Sequence, residues 1–236
     1  MDGPMNLVKF VASSGAASRR EAERLIRLGH VSVNGAAATD PARRVTETDE
    51  VRMDGKKLSP EIPRRAFLLN KPRGYTCSMS DRHAEKLAVS LLAGIPEKVV
   101  SAGRLDRESE GAIIFSNDGD LINRLTHPRY GVLKTYIVRT AAPLSPADLR
   151  RMTRGIPDGG EILRAEAVRS LGGSDYEFIL NEGRKREIRR LTAACGAPTE
   201  KLVRVRIGTV SLGDLPPGAF RELTPEEIAA LKGGEA

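Results

Sequence analysis

The feature that most constrains this fold is a spaced series of apolar runs, each too short to be a helix. They are Ala66–Leu69, Ala112–Phe115, Tyr136–Val138, Glu177–Leu180 and Leu202–Ile207. Runs of that length bounded by turn residues read as buried strands. Helical patterns intervene only near 120–126, 146–153 and 186–195. Strands mixed with a few helices over roughly 170 residues predict an α+β domain. Strict strand–helix alternation is absent, which argues against a doubly wound parallel sheet. The expected sheet is mixed and mainly antiparallel.

A different pattern precedes it. Ser18-Arg19-Arg20-Glu21 has capping-box spacing, Ala22, Leu25 and Ile26 share one helical face, and Gly29 is a plausible stop. Val31 and Val33 then alternate up to Asn34-Gly35, and Val51 and Met53 up to Asp54-Gly55, two hairpin signals. Residues 5–58 therefore predict helices followed by a small antiparallel sheet. Ser59 to Arg65 holds two prolines without periodicity and reads as a linker. The expected organisation is a small domain over 1–59, a linker at 60–65 and a larger domain over 66–236. Thr224–Leu231 predicts a closing helix with Pro225 in its first turn.

The chain has 38 basic and 31 acidic side chains, a formal charge of +7, which favours a polyanionic partner without naming it. With four Tyr, five Phe and no Trp, serial base stacking along a single strand is disfavoured. Cys77, Cys195, His30, His83 and His127 show no zinc-ligand spacing and no nucleophile–base arrangement. No secretory core and no membrane-length apolar stretch is present, so a cytoplasmic protein with reduced thiols is expected.

The segment richest in chemistry is Gly103-Arg104-Leu105-Asp106, which runs through Arg107 to Gly119. It reads as a loop carrying one carboxylate, anchored by a buried strand at 112–116 and ending at the turn signal Asn117-Asp118-Gly119. On spacing alone Asp106 is a turn cap or a functional acid. Three further strings accompany it: Asn70-Lys71-Pro72-Arg73-Gly74, Lys134-Thr135-Tyr136, and Glu182-Gly183-Arg184-Lys185-Arg186-Glu187-Ile188-Arg189-Arg190-Leu191. In this order they resemble the motifs of the RsuA/RluB-like ribosomal RNA pseudouridine synthases. The first sixty residues resemble the RNA-binding domain first described in a small-subunit ribosomal protein.

The resemblance implies isomerisation of uridine to pseudouridine. The bond from ribose to nitrogen 1 of uracil breaks, the base turns over, and it rejoins the sugar through carbon 5. No atoms or electrons are gained, so no metal or other cofactor is implied. By resemblance Asp106 is the catalytic carboxylate, Arg189 the basic residue that keeps it charged and aimed, and Tyr136 the aromatic that stacks on the flipped base. Expected RNA contacts are Arg19, Arg20 and Arg24 on the second helix, Lys71 and Arg104, and Arg184, Lys185, Arg186 and Arg190. Solvated helix charges or structural pairing are the alternatives for these side chains. Glu187 stands where the family commonly has Gln, and it is expected to bind a neighbouring Arg.

The implied partner is ribosomal RNA or a pre-ribosomal particle, met by a monomer. Tyr130 to Tyr136 looks more like the large-subunit branch, which slightly favours 23S over 16S RNA. A non-catalytic RNA-binding or ribosome-assembly factor fits the basic patch equally well. Only Asp106, Tyr136 and Arg189 separate the two. A glycosidase is disfavoured because no second carboxylate stands out.

Overall fold

The computed structural model describes residues 4–46, 48–59, 63–78 and 85–233. The chain divides into two compact units, Met1–Arg64 with Pro96–Lys98, and Arg65–Ile95 with Val99–Ala236. Pro60, Glu61 and Ile62 of the expected linker, and His83, lie outside the described residues.

The first unit begins with β1 (Met5–Asn6), α1 (Leu7–Ser13) and α2 (Arg19–Arg27). It continues with β2 (Val31–Val33), β3 (Ala36–Ala37), β4 (Arg44–Val45), β5 (Val51–Met53) and β6 (Lys56–Lys57). Strands β3-β2-β5-β6 form one antiparallel sheet and β1-β4 a second pair. Both hairpin signals are realised: Asn34 and Gly35, and Asp54 and Gly55, all adopt positive φ. One apolar face of each helix closes over the sheet, through Leu7, Phe10, Val11, Ala22 and Ile26 against Val31, Val33 and Val51. The capping box is only half formed. Ser18 Oγ accepts from Glu21 N at 3.3 Å, but the Glu21 carboxylate turns to Arg24 at 2.6 Å.

The second unit opens with β7 (Ala66–Lys71), β8 (Val100–Ser101), β9 (Glu110–Ser116), α3 (Gly119–Thr126), β10 (Lys134–Thr140) and α4 (Pro146–Arg154). There follow β11 (Ile156–Asp158), β12 (Glu161–Leu163), β13 (Ala167–Gly172), β14 (Asp175–Leu180) and α5 (Glu187–Ala194). Last come β15 (Thr199–Ile207), β16 (Val210–Ser211), β17 (Phe220–Glu222) and α6 (Pro225–Lys232). The main sheet runs β13-β14-β10-β15-β9-β7-β17. Its pairings are antiparallel except β15 with β9. The α+β reading holds.

Strands β7 and β9 read as unbroken apolar runs because both faces are covered. Phe67, Leu69, Ile113 and Phe115 join a core shared with Met152 of α4 and Ile188 and Leu191 of α5. Ala66, Leu68, Ala112 and Ile114 face a second core with Leu121 and Leu125 of α3 and Leu231 of α6. Period-two alternation sends successive residues to opposite faces. The expected turn at Asn117-Asp118-Gly119 is instead a helix start. Buried Asp118 caps α3 by accepting from the amides of Asp120 and Leu121, and Lys232 pairs with its other oxygen at 2.6 Å. Helix α6 carries a complete capping box between Thr224 and Glu227.

Candidate active site

Asp106 sits on the loop between β8 and β9, and the neighbouring segment after β7 fixes that loop. Gly74 N donates to Arg107 O at 2.7 Å, and Leu105 N lies 3.4 Å from Cys77 Sγ. Ser109 N closes a turn onto Asp106 O at 3.0 Å. Leu105 is buried in the core beside the carboxylate-bearing residue, which limits where the loop can move.

Lys71 explains why the first two motifs occur together. Its side chain is wholly buried, and its ammonium donates to Pro72 O and Tyr75 O, both at 2.9 Å, closing the turn that holds the Asp106 loop. Burial lowers its pKa, against the opposing fields of Cys77, Glu110 and Asp106. The expectation that Lys71 meets RNA is therefore corrected: two of its three donors go to backbone carbonyls and it has no exposed surface.

Tyr136 occupies the middle of β10, paired with Phe178 of β14 and Arg204 of β15. It is 7 % exposed, and the Arg204 guanidinium lies 6.0 Å from its ring centroid. Arg189 projects from α5. Its Nη1 and Nη2 donate to Thr199 O and Glu108 O at 3.3 and 3.4 Å, and its buried Nε has no hydrogen-bond partner among the described residues. Burial lowers the Arg189 pKa, while Glu108 and Asp106 pull it back up. Its guanidinium thus feels the Asp106 carboxylate through space and does not hydrogen-bond it.

These three residues, from a loop, a strand and a helix, line one cavity of about 460 Å³. That volume falls in the range of small-ligand sites. Leu180 and Leu202 supply apolar wall, while Arg104, Arg184, Lys185 and Arg186 make the lining strongly basic. The sequence thus brings together seven of its expected site residues here. Arg190 is not among the lining residues. It pairs with Asp158 at 2.5 Å and Glu161 at 2.6 Å and fastens α5 to the β11–β12 hairpin, so its expected RNA contact is corrected to a structural role. Arg184 shares that work through Glu161, Glu182 and the Ile162 carbonyl while still reaching the cavity.

In the first unit Arg19 and Arg20 are exposed and make no ion pair among the described residues. Arg24 and Arg27 are exposed and pair with Glu21 and Glu23.

Two site features escaped sequence reasoning, and the expectation for a third is changed. Arg204 is 4 % exposed, donates to Ala112 O at 2.6 Å, and has one Nη without a partner among the described residues. The alternation Leu202, Arg204 along β15 puts an arginine at an inward position, and that was the available signal. Glu108 meets Arg186 at 3.3 Å beside the cavity. Glu187 does not pair with an arginine side chain. It is 3 % exposed, accepts from the Arg184 backbone amide at 3.1 Å, and burial raises its pKa. Among the described residues no cluster of His, Cys, Asp or Glu is placed to hold a metal ion, and no helix is long and apolar enough to cross a membrane.

Comparison with known proteins agrees with this architecture. The family described as RNA pseudouridylate synthase matches residues 65–194, and the S4 domain matches residues 5–51. Ribosomal large subunit pseudouridine synthase B of Bacillus subtilis is 35 % identical over 96 % of this chain and 95 % of its own length. Ribosomal small subunit pseudouridine synthase A of Escherichia coli is 33 % identical over 96 % of this chain and all of its own. A solved pseudouridylate synthase superposes with a TM-score of 0.69 at 30 % identity, covering 96 % of this chain and 99 % of that one. With an S4 domain in front and Asp106, Tyr136 and Arg189 around one cavity behind it, the chain belongs to the RNA pseudouridylate synthase family.

Proposed function

We propose that this enzyme isomerises a specific uridine of ribosomal RNA, with Asp106 acting on the sugar and base, Tyr136 stacking on the flipped uracil and Arg189 orienting the acid. The observation that carries the reading is the convergence of these three side chains on one basic cavity. The reaction asks for a carboxylate close to the glycosidic carbon and for walls that keep the detached uracil from leaving. Leu180, Leu202 and the buried Tyr136 ring are such walls. Pulling a uridine out of its stack costs a few kcal/mol. Stacking on Tyr136 is worth about 1–3 kcal/mol and offsets much of that cost.

Arg189 has two donors committed to backbone carbonyls, which fix its plane. A guanidinium so fixed presents a steady positive field to the Asp106 carboxylate and helps to aim it. Arg104, Lys185 and Arg186 surround the opening with positive charge suited to the flanking phosphates. The S4 region, with exposed Arg19 and Arg20, adds contacts to the RNA backbone.

Large-subunit RNA is the favoured substrate. The Bacillus subtilis and Vibrio cholerae large-subunit enzymes are each 35 % identical to this chain, and the small-subunit enzyme is 33 % identical. The protein is read as a cytoplasmic monomer acting on RNA or on an assembly intermediate. Pseudouridine mapping across both large ribosomal RNAs, in cells with and without the gene, tests this. Loss of one site in large-subunit RNA is expected. Loss confined to small-subunit RNA reassigns the substrate, and an unchanged map in both overturns the proposal.

A further inference from the structure

The Glu108 carboxylate is half exposed, yet it lies among arginines. Arg186 Nη1 meets it at 3.3 Å, and Arg189 donates to the carbonyl of the same residue at 3.4 Å. Its pKa is lowered chiefly by the hydrogen bond from Arg186, then by the charges of Arg186, Arg189 and Arg73. Glu108 thus meets Arg186 through its carboxylate and Arg189 through its carbonyl, and it feels the charge of Arg73. Arg186 starts α5 in a left-handed conformation, φ 54 and ψ 31. An exposed pair contributes little to stability, so Glu108 is easily exchanged.

We propose that Arg186, with the positive charge of Arg189 and Arg73 behind it, forms a phosphodiester subsite beside the cavity, which Glu108 occupies until an RNA phosphate displaces it. This rests on the reading that an RNA strand enters the cavity. Glu108 then acts as a specificity residue. Any strand must displace the carboxylate before it gains the arginines, so weakly held RNA is rejected. RNA fixed elsewhere by its shape supplies the phosphate at high effective concentration and displaces it readily.

The test uses the full chain and a labelled oligoadenylate, which contains no uridine and so reports phosphate contacts independently of isomerisation. Glu108→Gln is expected to tighten binding about three- to five-fold and to steepen the dependence of log K on log salt by about 0.7, one further phosphate contact on a single strand. Glu226→Gln, an equal charge change in α6, is expected to alter neither. In an Arg186→Gln background the gain from Glu108→Gln is expected to vanish. Matching thermal melts exclude misfolding as the cause. The subsite is overturned if Glu108→Gln leaves affinity unchanged, if Glu226→Gln reproduces its effect, or if the gain survives loss of Arg186. Inorganic phosphate that competes fully at matched ionic strength overturns the assignment to an RNA backbone. A wild type that isomerises target RNA while Glu108→Gln binds oligoadenylate no better overturns the subsite alone, whereas a wild type that binds no RNA overturns both readings.

Discussion

Gly111→Ala tests how the catalytic loop is fastened to the sheet. Gly111 has φ +101, and a Cβ there would overlap the Arg204 carbonyl oxygen and sit 2.8 Å from Arg204 N and 3.0 Å from its carbonyl carbon. These are backbone atoms of the adjacent strand, so no side-chain rotation relieves the contact. The parallel pairing of β9 with β15, Glu110 with Val203 and Gly111 with Arg204, must open. Backbone strain at such a φ costs about 1–3 kcal/mol, and each lost ladder bond about 1 kcal/mol. A less flexible unfolded chain returns about 0.4–1 kcal/mol. The net expected loss is about 2–4 kcal/mol, a large share of a typical domain's 5–15 kcal/mol. Gly213→Ala is the control, since Gly213 has φ +57 and nothing within 4 Å of the added carbon. That change should cost about 1 kcal/mol. Urea unfolding followed by circular dichroism reads both. If Gly111→Ala loses no more than Gly213→Ala, the close approach of β9 to β15 does not limit this fold.

Three further outcomes follow from the site. Tyr136→Ala should slow single-turnover isomerisation more than Tyr136→Phe, because the ring contributes about 1–3 kcal/mol of stacking; equal inactivity of the two refutes stacking as its main role. Lys134, half-buried on β10, has its pKa lowered to about 8 by burial and by Arg204. The unfolded chain therefore binds more protons between pH 8 and the free-lysine value, and stability contributed at this position rises with pH through that window. Lys134→Met should stabilise the protein by on the order of 1–2 kcal/mol at pH 7, less than the shift alone implies because the side chain is partly solvated. Melts at pH 7 and pH 10 should show that advantage shrinking, and a constant difference contradicts it. Glu187 has the opposite sign: burial raises its pKa, so the folded state holds its proton longer and stability falls as pH rises through that raised value. Glu187→Gln should gain about 1 kcal/mol at pH 7 and nothing below the free-glutamate range; urea unfolding at both pH values decides it.

The sequence revealed most where one force dominated. Apolar runs marked β7 and β9 because both faces are buried, and the hairpin dipeptides marked two turns because few residues tolerate positive φ. Strand β13 was not legible: most of its residues are exposed, so no apolar pattern marks it. Asp118 illustrates local ambiguity, since Asn-Asp-Gly suits a turn and a helix cap equally, and only the packing of α3 and Lys232 chooses. At the site, residue types were readable but commitments were not. Lys71 and Arg190 look like the other cations in the chain, yet Lys71 turns back onto the carbonyls of Pro72 and Tyr75, and the carboxylate partners of Arg190 lie on a hairpin brought near by the fold. Arg204 was hidden for the same reason, as a charged residue in a strand gives no hint that its guanidinium lies beside a tyrosine ring.

The most direct test is single-turnover conversion of uridine to pseudouridine with enzyme in excess over ribosomal RNA, comparing wild type with Asp106→Asn. Wild type should convert its site nearly completely, while the variant binds the same RNA with similar affinity and forms no pseudouridine above background. Conversion by Asp106→Asn at the wild-type rate would contradict the assignment of the chemistry to this carboxylate.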